Sequence, residues 1–160
     1  MIQYKKNIPH LPKWAEEALQ NAMDETGIKK VFITSTKREP IEQAIIMYDN
    51  IKKYGVEHQK RLYWVNGDKI IDVYERNKDL HFMCVTMLMA SEIVQIGKEK
   101  ISRHMVDDPK LSVFDIAPYS IENYNGVVER LIYELGISKH LVNVIKPPKD
   151  PALHLEIRKV

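Results

Sequence analysis

The sequence predicts an α+β fold in which a small antiparallel sheet is flanked by helices. Apolar stripes at helical spacing are interleaved with short β-branched runs along the whole chain. The C-terminal part carries two strand-like runs, HLVNVI and ALHLEIRK, on either side of the rigid PPKDP turn. No internal repeat, linker or low-complexity segment breaks the pattern, so one domain spanning 1–160 is the economical account. With 160 residues, 44% of them apolar, the chain is long enough to bury a sizeable core.

Taken in order, Pro12 to about Glu25 reads as a first helix, with Ala15, Leu19 and Met23 on one stripe and Gly27 closing it. Lys29 to Thr36, KKVFITST, is a compact β-branched run and reads as a strand ending near Arg38 and Pro40. After Pro40, the positions Ile41, Ala44, Ile45, Tyr48 and Ile51 recur at helical spacing until Gly55. The run RLYWVNGDKIIDVY holds Asn66-Gly67 between two apolar stretches, which predicts a hairpin over Leu62 to Tyr74 or a loop-rich insertion over a cleft. Leu80 to about Ile96 is Met-rich and reads as a buried helix ending at Gly97. Ser120 is the expected N-cap of a helix through IENYNGVVERLIYELG, with Tyr124, Val127, Val128, Leu131 and Leu135 as its stripe and Gly136 as its stop.

A formal charge of +2 is nearly balanced and argues against a dedicated nucleic-acid binder. Cys84 is the single cysteine, so no intrachain disulfide can form, and its apolar setting in HFMCVTMLMA predicts a buried, inert thiol. MIQYKKNIPHLPKWAEE lacks the apolar core and small-residue cleavage site of a secretory signal, which predicts cytoplasmic synthesis. No apolar run reaches the roughly 20 residues that a membrane span requires.

Chemistry-bearing residues concentrate in ISRHMVDDPKLSVFDIAP, Ile101 to Pro118, and in PALHLEI near the C-terminus. His104, Asp115 and His154 together make two imidazoles and one carboxylate, a set that suits Zn²⁺ and leaves its fourth position free. Alternation puts Leu153, Leu155 and Ile157 on one face of the last strand and Ala152, His154, Glu156 and Arg158 on the other. In SVFDI, Val113 and Asp115 share a face opposite Phe114 and Ile116. If the two strands are neighbours, Asp115 and His154 point into one polar or open concavity.

These residues resemble the zinc D-alanyl-D-alanine carboxypeptidases and L-alanyl-D-glutamate endopeptidases, which share their fold with the Hedgehog signalling domain. The resemblance rests on Ser102 and His104 in a Ser-x-His run, on Asp115, on His154 and Glu156 in the last strand, and on Thr34, Ser35 and Arg38 in VFITSTKREP. It covers roughly Val31 to Ile157 and implies a Hedgehog/DD-peptidase-like fold. It also implies a Zn²⁺ cofactor on His104, Asp115 and His154, and metal-assisted hydrolysis of an amide in peptidoglycan stem peptides, as in phage endolysins. Arg38 would bind a substrate carboxylate or oxyanion without holding the fold. Ser102 and Glu156 would contact substrate, with Ser102 alternatively supporting His104.

The family's catalytic carboxylate stands three residues before the second zinc His, a position held here by Pro151. Asp150, one residue earlier, is the acid assigned to proton transfer. The alternative is a catalytically inactive zinc-binding or wall-binding module of a phage particle, and a metal-free interaction domain is a third reading. Action at the cell wall would require release by a holin or carriage on a phage particle. Which bond is cut, and whether the chain is monomeric, stay open at this point. Simpler roles stand beside these: Asp107 and Asp108 form a turn, with Asp107 a substitute ligand; Arg38 pairs with Glu39 or Glu42; and His10, His58, His81 and His140 are ordinary surface or core residues.

Overall fold

The computed structural model describes residues 1–63 and 65–160. The chain forms two compact units, one from Met1–Lys37 with Asp107–Val160 and the other from Arg38–Val106.

The first unit is built on a five-stranded sheet. Its strands are β1 (Ile2–Tyr4), β2 (Val31–Ser35), β3 (Leu111–Ile116), β4 (Leu141–Ile145) and β5 (Leu153–Arg158), in the order β1-β2-β3-β5-β4. The fold is α+β as the sequence predicts, but the sheet is mixed. β1 pairs in parallel with β2, and every other pairing is antiparallel. The reason is the connection: helix α1 (Lys13–Thr26) lies between β1 and β2 in the chain, and a helical crossover returns the chain in the same direction. A three-residue strand carries too short a pattern to be read from sequence.

Gly27 ends α1 with φ 73°, a left-handed conformation that costs glycine little. Helix α6 (Tyr124–Ile137) departs from expectation at both ends. Ser120 does not cap it, because the Ser120 hydroxyl accepts from Phe32 N–H at 2.9 Å and donates to the Ala117 carbonyl at 2.7 Å. The chain instead enters α6 through Asn123 in a left-handed conformation, φ 53°. Gly136 lies inside the helix, and Ser138 ends it by donating its hydroxyl to Glu134 and Leu135 carbonyls. The core of this unit packs Leu19 and Met23 of α1 and Leu131 and Leu135 of α6 with Phe114, Ile116, Leu153, Leu155 and Ile157 of the sheet.

The second unit is helical, with α2 (Pro40–Tyr54), α3 (Val56–Leu62), α4 (Val65–Asn77) and α5 (Phe82–Ile96). At the start of α2, Glu39 and Glu42 form a reciprocal capping box beside Pro40. The Asn66-Gly67 hairpin does not form, nor does a loop-rich insertion; Val65–Asn77 is helix, and position 64 of that expectation lies outside the described residues. Gly67, Ile70, Ile71 and Tyr74 are buried at helical spacing, so the period was 3.6 and not 2. Gly67 is needed for close approach, since a Cβ there would stand 2.3 Å from Cβ of Tyr63.

Helix α5 is only partly buried. Val85, Thr86, Met89 and Ile93 face inward, whereas Met83, Met87, Leu88 and Val94 are exposed. Cys84 lies on the outer side and is exposed, contrary to the buried thiol expected from its neighbours. Among the described residues no helix is long and apolar enough to cross a membrane.

Candidate metal centre

The β3–β5 register decides how the ligand candidates meet. Asp115 is the direct cross-strand partner of His154, and Val113 that of Glu156. Since alternate residues share a face, Asp115, His154 and Glu156 project to the same side of the sheet, away from the Phe114, Ile116, Leu153, Leu155 and Ile157 core. Nδ1 of His154 is 2.8 Å from Oδ1 of Asp115, and Nε2 is 3.8 Å from Oε1 of Glu156. The face is polar, as expected, and its His154 and Glu156 are 6% and 2% exposed.

Burial pulls the pKa of the His154 imidazole down. The hydrogen bond and charge of Asp115, with the charges of Glu156 and Asp150, outweigh that effect and leave the ring above its ordinary value. Glu156 also accepts a hydrogen bond from Nδ2 of Asn143 on β4 at 2.9 Å. Asn143 and Glu156 are cross-strand partners. Sequence reasoning missed Asn143; a polar residue in the strand run HLVNVI was the available signal.

His104 lies in a single 3-10 turn, Arg103–Met105, whose N-terminus is capped by Ser102: the Ser102 hydroxyl accepts from His104 N–H at 3.3 Å. The His104 carbonyl accepts from Arg38 N–H at 2.9 Å. The side chain of His104 is buried. His104, Asp115 and His154 each offer one ligand atom, and these atoms all lie within 4.8 Å of one another. Around a tetrahedral zinc with bonds of about 2.0–2.2 Å, ligand atoms stand roughly 3.3–3.6 Å apart. The group could hold a metal ion. Asp107 is not part of it; it is exposed and paired with Lys37 at 2.6 Å. Asp108 caps the expected turn by accepting from Lys110 N–H.

Arg38 is partly buried, and its Nη1 donates to Oε1 of Gln43 at 3.1 Å. Gln43, 1% exposed on α2, reaches the Tyr63 hydroxyl through Nε2 at 3.5 Å. Burial pushes the Tyr63 phenol up, and the Arg38 charge and the Gln43 contact draw it part of the way back. Gln43 and Tyr63 were also unread in the sequence, because a glutamine inside a helical stripe gives no sign of what it holds. Asp150 is partly buried, and its Oδ1 accepts from Ala152 N–H at 2.9 Å. Among the histidines left as ordinary residues, His10 stacks on Tyr4 and His81 accepts from Met83 N–H at the start of α5.

No family model, curated protein or solved structure matches this chain.

Proposed function

We propose that this protein is a zinc-dependent peptidase that hydrolyses an amide bond in peptidoglycan stem peptides. The observation that carries the reading is the His104–Asp115–His154 group, with its ligand atoms within 4.8 Å. Two imidazoles and one carboxylate leave a fourth position for water, as hydrolytic zinc sites require. The resemblance in Ser102, His104, Asp115, His154 and Arg38 supplies the substrate class. When bound, zinc lowers the pKa of a coordinated water towards about 7 and polarises a carbonyl.

The chain's own residues supply the rest. Arg38 orients a substrate carboxylate or carbonyl oxygen through its planar fork. Asp150 accepts a proton on the attacking side and returns it to the leaving amine. Ser102 holds the His104 turn, which fits support better than attack. A second reading, an inactive zinc-binding module of a phage particle, is favoured by Pro151 and by the Ala152 N–H that already occupies Asp150.

Elemental analysis of protein purified without added metal, followed by digestion of purified peptidoglycan and mass analysis of the fragments, tests both. About one zinc per chain with stem-peptide fragments supports the peptidase. Zinc without fragments supports the inactive module, and no metal at neutral pH removes both.

A further inference from the structure

Glu156 is the charged group that the proposed chemistry leaves unexplained. Glu156 is 2% exposed, and a buried carboxylate is costly unless its surroundings favour it. Asn143 and His154, on its own face, contribute to this. Asn143 donates to Oε1 at 2.9 Å from the neighbouring strand, and Nε2 of His154 stands 3.8 Å from the same oxygen. The other ring nitrogen, Nδ1, is 2.8 Å from Asp115. The imidazole thus sits between two carboxylates, Asp115 on β3 and Glu156 two residues along its own strand, with Asn143 of β4 behind Glu156.

We propose that Glu156, held by Asn143, is a positioning residue for His154: it takes the Nε2–H edge of the ring and so presents Nδ1 toward Asp115 and a divalent metal. This rests on the zinc reading above. An imidazole that ligates a metal gives one nitrogen to the ion and the other to an orienting acceptor, usually a carboxylate or carbonyl. Here the Nδ1 edge faces a candidate ligand, which leaves Nε2 for the orienting group. The 3.8 Å separation is longer than a hydrogen bond, so Glu156 acts on the ring edge through its charge. Glu156 therefore supports the metal ligand.

The test is zinc affinity, measured by competition with a chromophoric chelator, beside the melting temperature of the metal-free proteins. Glu156→Ala is expected to weaken zinc binding by about 10–100-fold. Glu156→Gln, which keeps an acceptor oxygen, should recover part of that loss. Asn143→Ala should weaken zinc binding less than Glu156→Ala does and should lower the metal-free melting temperature, since it strips a donor from the buried carboxylate; the loss of affinity in folded protein is what a purely structural role would not produce. Wild-type affinity in Glu156→Ala overturns the proposal. If that variant does not fold, Glu156→Gln and Asn143→Ala decide: wild-type affinity in both overturns it, and weaker binding in both supports it. Wild type that binds zinc tightly yet leaves peptidoglycan uncut overturns the peptidase reading alone, since the affinity ratios are still measured. Wild type that binds no zinc overturns both.

Discussion

Removing His154 should cost the fold its stability even when no metal is present. Its ring lies 2.8 Å from Asp115, with the two side chains 8% and 13% exposed. His154→Ala leaves Asp115 without that partner and Glu156 without the positive edge at 3.8 Å. Breaking one partner out of a buried pair costs about 3–5 kcal/mol. For a chain of this length each kcal/mol moves the melting temperature by about 2–4 °C, so a fall of roughly 6–20 °C is expected. Asp115→Asn keeps an acceptor but removes the charge, and should lose about half as much. The assay is thermal unfolding by circular dichroism in excess chelator at about pH 6. The pH sign follows from the raised His154 pKa. A raised imidazole contributes fully below its unfolded value of about 6.5, and the contribution is lost as pH rises through the folded value. The gap between wild type and His154→Ala should therefore be widest at about pH 6 and narrow towards alkaline pH. A melting temperature within about 2 °C of wild type, or a gap that widens with pH, would refute the buried-pair argument.

Arg38→Ala should lower peptidoglycan turnover by about a hundredfold, as removal of one oxyanion partner does. Because it also strips Gln43 of a donor in a site 1% exposed, it should cost about 1–3 kcal/mol in denaturant unfolding; unchanged activity would return Arg38 to a structural role. Asp150→Asn should retain zinc and fold by elemental analysis and circular dichroism while abolishing cleavage, and an active variant would place the base elsewhere. Gly67→Ala should destabilise the helical unit by about 1–3 kcal/mol, because the added Cβ meets Tyr63 at 2.3 Å; a melting curve superimposable on wild type would mean that α4 can shift without cost.

Strand and helix phases set what was legible in the sequence. Leucine and isoleucine at every second position of Leu153–Ile157 assigned the core face, and so committed His154 and Glu156 to the other side. The same alternation placed Asp115 opposite Phe114. Helices α1, α2 and α5 were readable because their stripes end at Gly27, Gly55 and Gly97, each of which has a positive φ. Where local signals competed, the sequence misled. Asn66-Gly67 looks like a turn over a short range, yet Gly67, Ile70, Ile71 and Tyr74 gain more by burying a helical stripe. Ser120 has the chemistry of a cap, but Phe32 N–H and the Ala117 carbonyl claim its hydroxyl.

By itself the sequence determined the α+β class, the side of each strand that carries chemistry, and the candidate ligands, since all of these depend on periodicity and residue type within short windows. Only the tertiary structure decided the parallel β1–β2 pair, the facing of Asp115 and His154, and the pairing of Asn143 with Glu156. It also decided the outward turn of Cys84 on α5. These depend on register and on which neighbours cover a face, and pairings between residues such as Asp115 and His154, 39 positions apart, leave no periodic mark along the chain.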